Sequence, residues 1–181
     1  MTANTVWLKG EGLVKEADAA AAITPGNLIH RDVNGRFARH NVAGARVLPM
    51  FALEADFVGR SLVTAYEAGE RVQAVIPEPG AEIFALVPAG AVAIAIGDLL
   101  ESNGDGTLRR LVPLTDASGG TANRAVQAIG ATYVQAEVAN NFADLARFIN
   151  DAAPTAIARA LEAVNNSGGG TEARIRVEIV T

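Results

Sequence analysis

Hydrophobic and polar positions change rhythm twice along the chain. Between residues 25 and 115 the apolar segments are short and are broken at Pro25-Gly26, Asn34-Gly35, Ala68-Gly69, Pro79-Gly80, Ala89-Gly90 and the cluster from Asn103 to Gly106. Short strands with turn signals at this density predict a β-barrel or β-sandwich domain over 25–115. Within it Val92, Ile94 and Ile96 alternate with Ala91, Ala93 and Ala95, which predicts a strand buried on both faces. Before it, residues 1–24 read as an N-terminal arm carrying Val6, Trp7 and Leu8, followed by the small-residue run from Ala19 to Ala22.

After it, residues 116–181 read as a C-terminal α+β segment, packed on the barrel or forming a small lobe. Residues 116–123 are a loop, and alternation from Thr132 to Val138 predicts a strand. Phe142, Leu145, Ala146 and Ile149 stand at helical spacing behind a cap at Asn140 or Asn141. Beyond Pro154, Ile157, Leu161 and Val164 predict a second helix, stopped at Asn165 to Gly170. The last segment is the cleanest strand, with Ile175, Val177 and Ile179 inward and Arg174, Arg176 and Glu178 toward water. The fold class expected is mainly β with some α, an α+β fold.

One internal echo stands out. Gly26 to Arg39 can be laid over Gly97 to Arg110 with the glycines at matching offsets, Gly26 and Gly35 against Gly97 and Gly106. Asn27 then matches Asp98, Leu28 matches Leu99, Asn34 matches Asp105, Phe37 matches Leu108 and Arg39 matches Arg110. This describes one β-hairpin used twice.

The echo decides how to read Glu101-Ser-Asn-Gly-Asp-Gly-Thr-Leu108, whose alternate acids and glycine imitate a calcium loop. A calcium-binding EF-hand loop opens on Asp and closes on a bidentate Glu at its twelfth position. Here those places hold Glu101 and Val112, and Arg109 and Arg110 would repel a cation. Asn34-Gly35 does the same structural job in the partner hairpin without an acidic cluster, so the stretch is a tight turn. No metal site is expected.

Composition narrows the function classes. The chain has 181 residues, half of them hydrophobic but only 5% aromatic, and no cysteine, which excludes disulfides and thiolate metal sites. A net charge of −5 argues against a nucleic-acid-binding surface. The longest apolar run, Ala85 to Ile96, is too short and too broken by Pro88 and Gly90 to span a bilayer, so no membrane partner is expected. His30 and His40 sit on opposite arms of the first hairpin and read as a solvent-facing pair. No nucleophile elbow, phosphate loop or acid/base pair is visible, so no catalytic residue and no cofactor is expected.

Two features suggest binding. Arg31, Arg36, Arg39, His40 and Arg46 crowd a segment whose sole acid is Asp32. That is either a docking patch for an acidic partner surface or a solvated hairpin face. Trp7 either anchors into a neighbouring chain or covers this chain's own edge strand, and the stretch Val6 to Lys9 could add a strand to a partner's sheet.

Several runs resemble the capsid decoration (cement, head-stabilising) proteins of tailed bacteriophages. They are Ala17 to Ile29, Ala52 to Glu54, Ala65 to Val72, Pro79 to Glu82, Gly97 to Arg109, Ala158 to Asn166 and Arg174 to Ile179. The likeness consists of hairpin glycines and apolar spacing. It implies a β-rich, often tulip-like barrel made in the host cytoplasm and seated on the outer capsid surface. It further implies assembly as a homotrimer and bridging of neighbouring major capsid protein subunits. Partner-binding residues on this reading are Trp7, Arg31, Arg36 and Arg39. The alternative is a carbohydrate- or host-surface-binding β-module, which would need exposed aromatics from Trp7, Tyr66 and Tyr133.

Overall fold

A computed structural model of the chain describes residues 5–55, 59, 61–111 and 155–181. The chain divides into two compact units, Met1–Leu111 with Thr155–Thr181 and, inserted between them, Val112–Pro154. All described residues belong to the first unit. The loop at 116–123, the strand from Thr132 to Val138 and the helix through Phe142 and Ile149 lie outside the described residues.

Eleven strands are described: β1 (Trp7–Lys9), β2 (Gly12–Asp18), β3 (Ile29–Arg31), β4 (Phe37–Arg39), β5 (Phe51–Ala52), β6 (Arg71–Pro77), β7 (Glu82–Val87), β8 (Leu99–Ser102), β9 (Leu108–Arg110), β10 (Ala158–Ala160) and β11 (Ala173–Ile179). They form a six-stranded sheet in the order β1-β7-β11-β10-β8-β9, a three-stranded sheet β2-β6-β5 and the hairpin β3-β4. The sheets are open, and the described residues contain no α-helix. The fold is therefore all-β with open sheets among the described residues, where the sequence predicts an α+β fold built on a β-barrel or β-sandwich domain.

The two sheets repeat one plan. In the first copy the order is β2-β6-β5, with the hairpin joined to β5 by a single bridge from Leu28 to Phe51. In the second it is β7-β11-β10-β8-β9, and Leu99 pairs with Arg159 where Leu28 pairs with Phe51. Leu100 stands 71 residues after Ile29 (100 − 29 = 71), and the same offset carries the hairpin pair Ile29 and Arg39 onto Leu100 and Arg110. It also carries the bridge residue Ile23, paired with Tyr66, onto Ile94, paired with Val164.

Local hydrogen bonds repeat as well. The Thr24 N–H donates to Asn27 Oδ1 at 2.8 Å, and the Ala95 N–H to Asp98 Oδ2 at 2.9 Å. Gly26 and Asn27 exchange backbone bonds with Ala52 as Gly97 and Asp98 do with Ala160. The hairpin echo seen in the sequence is thus part of a duplicated β-unit, and residues 112–154 are inserted where the first copy has only the link from β4 to β5.

Two hydrophobic clusters follow from strand alternation. On β6, Val72 and Ala74 enter a cluster with Ile23, Ile29, Phe37 and Tyr66, while Val75 on the other face joins Phe51, Ile83, Leu100 and Ile175. Burying these side chains, each worth ~1.5–3 kcal/mol for a large aliphatic, is what holds short strands together. The alternation predicted for the last strand is present, with Ile175, Val177 and Ile179 buried. Arg174 departs from it. Its guanidinium lies 5.7 Å from the centre of the Phe84 ring and donates to the Leu62 carbonyl.

Two predicted elements differ. The helix through Ile157, Leu161 and Val164 is instead the strand β10, where Ala158 and Ala160 are buried and Arg159 is exposed. Its backbone is claimed on both sides, by β11 and by β8, and this pairing overrides the helical preference of alanine. The strand through Val92, Ile94 and Ile96 reduces to the single bridge at Ile94, and Val92 and Ile96 are exposed. Turns at Pro88 to Gly90 and at Ala95 to Asp98 leave too little chain between them for a ladder.

Candidate interaction surface

The segment read as an arm is paired into both larger sheets, β1 to β7 and β2 to β6. Trp7 sits opposite Ile83 at the edge of the six-stranded sheet and packs against that sheet's core. Its indole Nε1 is buried and finds no partner among the described residues. The ring covers this chain's own sheet.

The first hairpin carries the other three candidate residues. Its turn is built by Asp32, whose Oδ1 accepts from the Asn34 and Arg36 N–H groups at 2.8 and 2.9 Å. Gly35 has φ +78, the left-handed region that a tight turn needs and side chains avoid. Arg36 returns to Asp32 Oδ2 at 3.0 Å. Desolvation works to raise the Asp32 carboxyl, but the Arg36 and Asn34 N–H groups and the Arg36 charge outweigh it and hold Asp32 below the ordinary carboxylate value. Arg31 lies over the Phe37 ring at 5.2 Å and donates to the Gly35 carbonyl at 3.1 Å. Arg31, Arg36 and Arg39 are all exposed, and between them Val33 at the tip is fully exposed. The tip thus carries Arg31 and the Asp32-paired Arg36 beside exposed Val33, while Arg39 stands at the base of the hairpin, paired with Ile29 and with its stem close to Gly106.

The second hairpin faces inward. Ser102 and Thr107 are fully buried, and Glu101 is buried and ion-paired to Arg109 at 2.9 Å. Asp105 accepts from the Thr107 N–H at 2.9 Å and from Asn103 Nδ2 at 3.0 Å. The stretch resembling a calcium loop is the turn of this hairpin, with its acids engaged by their own neighbours.

A junction that sequence reasoning missed ties the two hairpins together. Leu28 N–H donates to the Gly106 carbonyl, Gly106 N–H to His40, and His40 N–H to Leu28, at 2.7, 2.9 and 2.9 Å. Fully buried Asn27 adds a bond from Nδ2 to the Gly106 carbonyl at 3.2 Å. His40 is buried, not solvent-facing as the sequence suggests, with Nδ1 2.6 Å from Ser102 Oγ and its ring edge-on to His30 at 5.7 Å. Burial, and then the nearby His30 charge, lower the His40 pKa from 6.5. The one sequence signal for this junction was the asparagine–aspartate match at positions 27 and 98, which marks where each copy turns into its hairpin.

Of the aromatics needed for sugar stacking, Tyr66 is buried with its hydroxyl donating to the Leu53 carbonyl at 2.8 Å, and Trp7 is half-buried. Tyr133 lies outside the described residues.

No family model and no curated protein matches the chain. Among solved structures it is similar to the head fiber gp8.5 N base in bacteriophage phi29, at 14% identity over 93% of this chain and 94% of that one, with a TM-score of 0.45. At that score the likeness carries neither a fold assignment nor a function.

Proposed function

We propose that the protein is a structural virion protein that binds the outer surface of an assembled phage capsid and stabilises it by bridging neighbouring major capsid protein subunits. The observation that carries this reading is the first hairpin, which exposes three arginines along its length and Val33 at its tip, in a chain of net charge −5. The resemblance of its sequence runs to capsid decoration proteins supplies the partner. An acidic groove between capsid subunits would receive the arginines while Val33 leaves water.

Binding that favours the assembled shell stabilises it by mass action, and self-association into trimers adds avidity because each further contact becomes intramolecular. The arm is held to its own sheet by Trp7 and contributes no aromatic anchor in this account. The binding is electrostatic in part and weakens with salt.

The test is co-sedimentation of the purified protein with undecorated expanded heads, using unexpanded procapsids as the control. Saturable binding to expanded heads alone supports the reading. A folded protein that sediments with neither particle overturns it. The triple variant R31S/R36S/R39S loses occupancy at moderate salt if the hairpin is the contact, and unchanged occupancy removes the hairpin from the account.

A further inference from the structure

The duplication exposes an inequality between two edges that should be alike. Strand β7 is covered on its outer edge by β1, with Trp7 paired to Ile83 and the Phe84 N–H donating to the Val6 carbonyl at 2.8 Å. The equivalent strand in the first copy is β2. Because β6 pairs with β2 as β11 pairs with β7, Glu16 takes the place of Phe84. No described strand covers β2 there; the sheet order ends at β2.

The ladder tells which groups point outward. Glu11 accepts from the Glu78 N–H and Ala19 donates to the Glu70 carbonyl, so the odd positions of this segment bond to β6 or its extensions. The alternation of an antiparallel pair turns the N–H and C=O groups of Gly12, Val14 and Glu16 to the open side. Further along, the edge is occupied, since Arg31 reaches the Glu16 carbonyl at 3.4 Å and the Ala20 N–H bonds to Phe37. The open stretch thus runs from Gly12 to the Glu16 N–H, and the Arg31 guanidinium at the Glu16 carbonyl marks its end. It also bears two apolar side chains in water, Leu13 at 55% and Val14 at 45% exposure.

We propose that this edge pairs antiparallel with the same edge of a second copy of the chain, with the two-fold axis at Val14. The proposal goes beyond capsid binding and does not depend on it. The stretch Gly12-Leu-Val-Lys-Glu16 complements itself in this register. Val14 meets Val14 of the partner subunit and exchanges both backbone bonds with it. Leu13 faces Lys15 of the partner subunit, whose methylene stem covers it while the ammonium stays in water. Gly12 faces Glu16 of the partner subunit, where the Arg31 guanidinium gives up the long bond to the Glu16 carbonyl for the outermost ladder bond, and Glu11 of the partner subunit lies diagonal to Lys15. Two three-stranded sheets then join into one of six strands. The open edge, which would otherwise remain a template for non-specific pairing, is closed.

The test is the sedimentation-velocity mass of the purified protein without capsids, compared with V14P. Proline at Val14 deletes an outward N–H and leaves the β6 ladder whole, so the variant folds, which far-ultraviolet circular dichroism checks. The native chain sediments as a dimer, or as a hexamer of edge-paired protomers where it also forms trimers, and V14P halves that mass. L13K sets like charges opposite each other and raises the dissociation constant at least about tenfold. Adding K15E to L13K brings the affinity back and fixes the register. A native monomer, a trimer alone, or a dimer that persists in V14P overturns the proposal.

Discussion

The two hairpins share register, turn glycines and an arginine at the end of the second strand, yet one faces out and the other in. In the first, the tip at Val33 stands in water, and a Cβ on Gly35 would meet only the Arg31 guanidinium within 4 Å among the described residues, at 3.9 Å. In the second, a Cβ on Gly104 would fall 2.8 Å from the Ala43 backbone nitrogen, and one on Gly106 would fall 2.9 Å from the Arg39 Cβ. The second tip is built against residues of the first copy, and the first tip is left available. A duplicated unit can hold the fold with one copy and present a surface with the other.

That comparison can be broken most severely in the cores beneath the hairpins. Phe37 and Leu108 occupy matching positions, each at most 1% exposed. Phe37→Ala should cost about 3–5 kcal/mol and Leu108→Ala about 2–5 kcal/mol in chemical denaturation, and a single transition shifted by either change would show that the two clusters unfold as one cooperative unit. A Leu108→Ala protein with unchanged stability would contradict the burial of the second hairpin's core position.

The glycines should separate the copies. Both turns have positive φ, +78 at Gly35 and +86 at Gly106, so alanine costs about 1–2 kcal/mol at either site from backbone strain alone. Gly106→Ala must also displace the Arg39 stem and should be the more destabilising of the two by thermal unfolding. Equal losses would show that the second tip is not tightly packed.

The junction at His40 sharpens the comparison with pH. Its folded pKa is lowered from 6.5 by burial and by His30, so the neutral ring is the form the fold favours. The sign follows: that contribution is present above 6.5 and is lost as pH falls below 6.5 through the depressed folded value. The thermal midpoint should therefore drop between pH 7.5 and pH 5, and the drop should shrink in His40→Asn. An identical pH profile for His40→Asn would assign the drop to other groups.

The smallest effect on stability belongs to the exposed arginines. R31S/R36S/R39S should leave the thermal midpoint nearly unchanged, because exposed ion pairs such as Arg36 with Asp32 contribute little, while capsid occupancy falls. A large stability loss would mean that Arg31 over Phe37 holds the hairpin together.

Much of this was legible from residue types alone. Asn34-Gly35 and Asp105-Gly106 mark hairpins because few residue types accept positive φ, and Ile175, Val177 and Ile179 mark a half-buried strand because side chains alternate. The stretch from Ile157 to Val164 misled because three apolar residues at helical spacing also fit a strand followed by a bridge, and only the partners β8 and β11 choose between them. His40 misled for a related reason: a polar residue near arginines looks solvated until Ser102, 62 residues away, is found beside it.

The sequence by itself determined where the chain turns and that one hairpin is used twice, since both follow from local backbone preference. Tertiary structure alone decided that the duplication extends to whole sheets, that Arg159 lies on a strand, and that β7 is capped while no described strand covers β2. Those outcomes depend on which distant backbone groups meet. Pairing between strands is specified by the partner's edge, and no short stretch of sequence contains its own partner.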